Sequence, residues 1–264
     1  VLEPHARLYQ RLLAGDPDEA THNAEYFLEA DYLLDYYEKV GIPALLMGEQ
    51  DRQRGVMHDQ QRIRFAASAQ TLVANLAEIA EEEENEEEDV AELEDNDAAG
   101  TPKIELPSGE GHSLLCIGGR GEIDDAASTM LAQVLEVEGA TAAPVSHMAT
   151  EGSHIRDLPL EGVETVIVTF LNGNSKSHAR HLIRRLKRLK GDLRVGLFIP
   201  SANGTDSPEI TAEDVNADFV ATTMTDSLVG GLTSSPAVPL RTAPRRLTRH
   251  RPRRTAKAEE AAVA

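Results

Sequence analysis

A glycine-rich loop that contains one arginine, Gly118-Gly-Arg-Gly121, lies between an apolar segment and a predicted helix. Loops of this kind can bind an anion. Ser113 to Gly118 is predicted to be a buried strand, and Gly119-Arg-Gly121 separates it from a helix. Backbone N–H groups of such a loop, placed at a helix N-terminus, can hold a phosphate or carboxylate. The loop matches neither the dinucleotide fingerprint G-x-G-x-x-G nor a Walker loop, because no Gly-Lys-Ser/Thr follows it.

Two carboxylates at the start of that helix argue against a simple anion site. Asp124 and Asp125 would repel an anion, and carboxylates in a first turn also satisfy N-terminal amides, so helix capping is the favoured interpretation of Asp124. A second loop, after the apolar stretch 163–171, should lie at the same edge of a parallel sheet. The sequence therefore predicts these ligand-binding residues: Gly118, Gly119, Arg120, Gly121, Asp124, Asn172 and Ser175.

The sequence contains no set of residues with the spacing of a catalytic or metal site. His178 and His181 lie three residues apart on a predicted helix, but seven bases on the same helix oppose a bound cation. Cys116 lies mid-strand and is predicted to be a core residue. His147 and His154 are candidate bases that nothing partners in sequence. We therefore expect a non-enzymatic protein with no metal ion and no cofactor.

An alternation of strands and helices over residues 110–232 must position these loops. Continuous β-branched runs such as Val163 to Leu171 are typical of strands buried on both faces of a parallel sheet. Strand–helix alternation with right-handed crossovers predicts an α/β domain with a five-stranded, doubly wound, flavodoxin-like parallel sheet.

Residues 1–78 have helical periodicity instead. Apolar residues recur at spacings of three and four, and Asp16 can cap a helix whose first residue is Pro17. Four or five short helices with short connections predict an N-terminal antiparallel helical bundle.

The charge of the chain is concentrated in two segments. The net charge is −19 over 264 residues, yet thirteen acids and no bases lie between Ala77 and Asp97, and without those acids the charge would be −6. We predict an acidic flexible linker over residues 79–109. Residues 233–264 are predicted to be a basic, proline-containing, disordered tail. Because no folded reading element accompanies its arginines, we expect no specific nucleic-acid binding.

Cysteine content and hydropathy indicate the cellular compartment in which the chain is located. The chain has a single cysteine, which suits a reducing compartment, and no apolar run of about 18–20 residues that would span a membrane. It begins at Val1 without a signal peptide, which indicates a processed chain or a cut fragment. We expect a cytoplasmic location.

Three segments resemble the helical cap and flavodoxin-like domain of cobalamin-binding proteins. They are Leu12-Leu-Ala-Gly-Asp-Pro-Asp-Glu-Ala20, Met130-Leu-Ala-Gln-Val-Leu135 with Gly139, and the helix-rich stretch 174–190. The family's cobalt-ligating loop reads Asp-x-His-x-x-Gly, which registers on Glu122-Ile-Asp-Asp-Ala-Ala127. Asp124 then stands at the place of the ligand histidine. The resemblance implies a cobalamin-binding-like fold that lacks the cobalt-ligating histidine.

A second resemblance concerns the context of the chain. Tyr9-Gln-Arg-Leu-Leu13 and Gly118-Gly-Arg120 are similar to phrases in cytosolic C-terminal extensions of bacterial autoinducer-2 exporter-family permeases. This resemblance implies a membrane transporter domain in the same chain as a partner. Together the observations predict a non-enzymatic cytosolic sensor, regulatory or interaction module. The alternative is a module that binds a small molecule, cobalamin or another nucleotide-like ligand, at the carboxyl ends of the strands.

Overall fold

The structure is a computed structural model that describes residues 2–88, 106–200, 209–233 and 240–241. Its first part is helical, as predicted. The first turn between helices forms because Gly15 adopts a left-handed conformation with φ 74°, and the Asp16 side chain accepts a hydrogen bond from the Glu19 amide at 3.2 Å. The helices are α1 (Pro4–Ala14), α2 (Pro17–Leu28), α3 (Leu33–Tyr36), a π-helical turn (Tyr37–Gly41), α4 (Ile42–Gln53) and α5 (Asp59–Glu88).

Helix α5 corrects the predicted start of the acidic linker. It continues to Glu88 rather than ending near residue 78. Leu72 and Leu76 anchor its buried face, and glutamate is a good helix former, so the helix runs on into the acidic run. The predicted linker's other end is also ordered, because Leu106–Pro107 (β1) pairs antiparallel with Leu240–Arg241 (β7). Residues 89–105 and 242–264 lie outside the described residues.

The second part is the predicted α/β domain. Five parallel strands form one sheet in the order β3-β2-β4-β5-β6, the flavodoxin-like arrangement. The strands are β2 (Ser113–Gly118), β3 (Thr141–Val145), β4 (Thr165–Thr169), β5 (Arg194–Phe198) and β6 (Phe219–Ala221). The helices are α6 (Glu122–Val137), α7 (Lys176–Leu189), α8 (Ala212–Val215) and α9 (Met224–Leu232), with short 3₁₀ turns at His147–Thr150 and His154–Asp157.

The helical part and the sheet share one hydrophobic core. Helix α6 packs on β2 and β3 with one side and on α4 and α5 with the other. Two side chains fix this junction: the Tyr37 hydroxyl donates to the Gln133 Oε1, and the Gln133 Nε2 donates to the Val73 carbonyl at 3.3 Å. Helices α7 and α8 cover the opposite face of the sheet over a second cluster.

No helix within the described residues is both long and apolar enough to cross a membrane.

Removal of the Tyr37 hydroxyl tests the junction between the two parts. Tyr37→Phe leaves the buried Gln133 Oε1 without its donor, so we expect the free energy of unfolding to fall by about 1–3 kcal/mol in urea titrations. Tyr26→Phe is the matched control because Tyr26 is 76% exposed, and it should change stability by less than about 0.5 kcal/mol. Equal effects of the two variants would contradict this account of the junction.

Candidate functional site

A cavity of about 180 Å³ lies at the carboxyl edge of the sheet, between the sheet and the helical part. It lies beside β2, whose neighbours in the sheet are β3 on one side and β4 on the other. The strand order reverses at this point, and doubly wound sheets bind ligands where their strand order reverses. Its lining comes from α4 and α5 (Glu49, Arg52, Arg62), from the loop after β2 and the first turn of α6 (Arg120, Gly121, Glu122, Ile123, Asp124), and from the loops after β3 and β4 (His147, Asn172).

Asp124 holds two loops together at this edge. Its Oδ2 accepts the Arg120 amide at 2.9 Å and its Oδ1 accepts the Leu171 amide at 3.0 Å. This corrects the sequence prediction that Asp124 caps its own helix: α6 begins at Glu122, and its N-terminal residue Gly121 makes no side-chain cap. The carboxylate instead joins the loop after β2 to the end of β4.

The environment of Asp124 favours its neutral form. The pKa of this carboxyl is raised to about 7, because burial and the negative charge of Glu49 raise it more than the two backbone donors lower it. Asp124 is 6% exposed. Its charge therefore changes near neutral pH, at the wall of the cavity.

Asp125 orients His147 in the next loop. Its carboxylate accepts the His147 amide and lies near the His147 ring Nδ1, both at 2.7 Å, and it also accepts the Ser146 hydroxyl at 2.9 Å. A histidine held through Nδ1 presents its Nε2 as the remaining nitrogen. Since His147 lines the cavity, the pair supplies an oriented imidazole to it.

Ion pairs neutralise two of the three arginines around the cavity. Arg52 forms a bidentate pair with the buried Glu49, with distances of 2.6 and 2.8 Å. Arg62 on α5 lies 3.1 Å from Glu122 on α6, which ties the helical part to the edge of the sheet. For Arg120, no carboxylate of the described residues lies within ion-pair distance.

Four of the seven predicted ligand-binding residues meet at the cavity: Arg120, Gly121, Asp124 and Asn172. The structure does not place Gly118, Gly119 or Ser175 on it. A Cβ on Gly118 would overlap the Asp125 carboxylate, and one on Gly119 would overlap the Phe170 ring, so both glycines permit close packing. Ser175 is fully buried behind the start of α7. Whether any of the seven binds a ligand stays a prediction.

Sequence reasoning missed the contribution of the helical part. Glu49, Arg52 and Arg62 lie far from the glycine loop in the chain, and no local pattern connects them to it. The sequence offered one weak indication of this contribution: Glu49 and Arg52 are an i, i+3 pair of opposite charge on a helix. His147 was a candidate base, but its partner Asp125 lies in the preceding βα unit.

The remaining candidates agree with a packing or surface role. His178 and His181 are exposed on α7, and no metal-binding group of three or more ligands occurs within the part of the chain that the structure describes. Cys116 is fully buried, and that burial raises the pKa of its thiol, so it is a core residue rather than a nucleophile.

Comparisons with known proteins show the fold. No protein-family model matches the chain, and no curated protein matches it in sequence. Among solved structures, the Methanosarcina barkeri monomethylamine corrinoid protein aligns with a TM-score of 0.52 at 12% identity, over 84% of this chain and 93% of that one. A novel cobalamin-binding protein from Desulfitobacterium hafniense DCB-2 aligns with a TM-score of 0.35 at 14% identity, over 86% and 96% of the two chains. The first of these alignments confirms the predicted fold, in which a helical part is joined to a flavodoxin-like sheet.

The raised pKa of Asp124 predicts the pH dependence of stability. Between about pH 4 and pH 7 the folded chain keeps a proton that the unfolded chain releases, so the free energy of unfolding should fall by about 1.4 kcal/mol per pH unit and level off above pH 7. Asp124→Asn should lose this slope in urea titrations at pH 4.5, 5.5, 6.5 and 8. Asp192→Asn, at an exposed position, should retain it. A slope that survives in Asp124→Asn would mean that another group carries it.

Proposed function

We propose that this chain is a non-enzymatic sensor module that binds a small phosphate- or carboxylate-bearing metabolite in the cavity at the carboxyl edge, rather than cobalamin. The proposal rests on the position of Asp124 and on the hydrogen bonds that its carboxyl group makes. In the register of the sequence resemblance, Asp124 takes the place of the cobalamin-binding family's ligand histidine. In the structure, both of its oxygens accept hydrogen bonds from backbone amides. The fold resembles that of a corrinoid protein, while the donor at the decisive position is a buried carboxyl.

The residues at this position do not fit a corrin ring. A carboxyl held by two amides offers no neutral nitrogen to cobalt. The cavity of about 180 Å³ is smaller than the range of about 300–1,000 Å³ usual for drug-sized ligands, and a corrinoid is larger than those. The Arg62–Glu122 ion pair bridges the two walls that a large ligand would have to separate.

The charges of the lining favour a small anion. Glu49 and Glu122 are matched by Arg52 and Arg62, which leaves Arg120 as a cation without a carboxylate among the described neighbours. Asp124 is neutral in part of the molecules at pH 7, so it opposes an anion less than an ordinary aspartate would. Arg120 and the Asn172 amide can both donate to phosphate or carboxylate oxygens.

The absence of enzymatic activity is supported by the surroundings of the histidine–aspartate pair. Nucleophilic catalysis needs a hydroxyl or thiol that hydrogen-bonds to the histidine. Ser146, the adjacent hydroxyl, donates to Asp125 and therefore competes with the ring for the same carboxylate. A regulatory role and attachment to a membrane transporter domain of the same chain rest on the sequence resemblances, and a cytosolic location rests on the cysteine content and hydropathy. All three stay predictions.

Thermal unfolding with added anions tests the site. Inorganic phosphate and ribose 5-phosphate should raise the melting temperature, more at pH 6 than at pH 8, because Asp124 gains its charge between these values. Arg120→Gln should abolish the rise. Arg64→Gln removes an exposed arginine outside the cavity and should preserve it. An equal rise in both variants would mean that the anions act elsewhere, and no rise in the unmodified chain would overturn the proposed ligand class.

Cobalamin binding through His147 is the second candidate function. The observation that favours it is the Asp125–His147 contact, because metal-ligating histidines usually have the second ring nitrogen held by a carboxylate or carbonyl. His147 is at the correct edge of the sheet and lines the cavity. It follows the second strand of the sheet, however, whereas the family's histidine follows the first.

A cobalamin-binding assay separates the two candidates. The chain is mixed with hydroxocobalamin, free cofactor is removed by gel filtration, and the visible spectrum of the protein fraction is recorded. We expect no retained cobalamin. Stoichiometric retention with a histidine-ligated spectrum that disappears in His147→Ala, but not in His154→Ala, would establish the second candidate and overturn the first.

A further inference from the structure

A second cavity lies within the helical part, away from the edge of the sheet. It has a volume of about 320 Å³ and opens between α1, α2 and α3. Its walls are mainly apolar and include the buried Leu8, Ala20 and Val40, with the Phe27 ring against the Tyr36 ring at a centroid distance of 5.3 Å. A volume and lining of this kind suit a small apolar molecule.

Tyr36 lines this cavity and has a hydroxyl for which the described residues supply no hydrogen-bond partner. The residue is 3% exposed, and its hydroxyl has no hydrogen-bond partner among the described residues. The oxygen is not fully enclosed by protein atoms, and the residue lines the cavity. The neighbouring Tyr37, by contrast, satisfies its hydroxyl with Gln133.

The wall of the cavity contains an irregular helix. After α3 the chain forms the π-helical turn of residues 37–41, in which the Ile42 amide donates to the Tyr37 carbonyl. Such turns are rare and occur frequently at functional sites. Tyr36 immediately precedes the turn and Val40 lies inside it, so the irregular segment shapes the cavity.

Two arginines lie at the rim of the cavity. Arg7 and Arg11 line it together with Asp31. Arg7 is exposed and has no carboxylate within ion-pair distance among the described residues, while Arg11 makes only long contacts of 3.6 and 3.7 Å to Asp16 and Glu19. Arg7 is thus the cation at the rim that can meet the carboxylate of a monoanion.

We propose that this cavity binds a small amphipathic monocarboxylate, such as a medium-chain fatty acid. Its apolar body lies against Phe27 and Val40, its carboxylate lies at Arg7, and the Tyr36 hydroxyl donates to one of its oxygens. Burial raises the pKa of Tyr36, so the hydroxyl stays protonated and remains a donor. This site is independent of the anion site at the sheet edge.

Calorimetric titration of the full chain with decanoate and with 1-decanol tests the proposal. We expect decanoate to bind with 1:1 stoichiometry, and Tyr36→Phe and Arg7→Gln each to weaken it about tenfold or more through the loss of a charge-assisted contact. Decanol should bind more weakly and should not respond to Arg7→Gln. Melting curves show whether each variant is folded, and Arg7→Gln alters an exposed side chain, so it remains informative if Tyr36→Phe unfolds.

Arg120→Gln distinguishes this site from the cavity at the sheet edge. It should leave decanoate affinity unchanged. The proposal is overturned if decanoate does not bind, if Arg7→Gln has no effect, or if Arg120→Gln weakens binding, which would place the carboxylate at the other cavity.

Discussion

Helix α6 packs against the sheet on one side and against α4 and α5 on the other, so its residues must satisfy two interfaces at once. Eleven of its sixteen residues are buried. Small residues such as Ala126 and Ala127 allow close approach, and Met130 reaches the glycine of the π-helical turn, where a Cβ on Gly41 would lie 3.1 Å from the Met130 sulfur. The one long polar side chain in this buried set, Gln133, is satisfied from both directions. A change that separates α5 from α6 would therefore also disrupt the cavity at the carboxyl edge of the sheet, because both helices line it.

The first turn of the same helix gives two adjacent aspartates different roles. Asp124 points to backbone amides of two loops and is buried enough to favour its neutral form. Asp125 points to the next loop and fixes the His147 ring. Consecutive residues of a helix diverge by about 100° around its axis. The two carboxyl groups can thus brace three loops of the carboxyl edge while only Asp124 faces the cavity.

The two cavities differ in the chemistry that they offer. The cavity at the sheet edge has a polar lining whose charges are largely paired. The cavity in the helical part is mainly apolar, with Tyr36 in its wall and two arginines at its rim. For both places we propose small anionic ligands rather than a large planar cofactor, in a chain whose fold is similar to that of the Methanosarcina barkeri corrinoid protein.

The sequence by itself determined the elements and their arrangement. The continuous apolar runs 113–118 and 163–171 located two of the five strands to within two residues, β2 at Ser113–Gly118 and β4 at Thr165–Thr169. The Asp16–Pro17 helix start was visible because capping depends on neighbouring residues. The edge of the sheet on which the loops meet followed from parallel topology, and so the cavity could be located near Arg120 and Asn172.

Only the tertiary structure decided which partners the side chains have. Asp124 binds the Leu171 amide 47 residues away, and Asp125 holds His147 across 22 residues. Such contacts produce no periodic pattern in the sequence, because they depend on how loops from separate βα units come together in the fold. The end of α5 was misjudged for a related reason: composition describes an isolated acidic segment, whereas packing of Leu72 and Leu76 on the rest of the core carries the helix to Glu88.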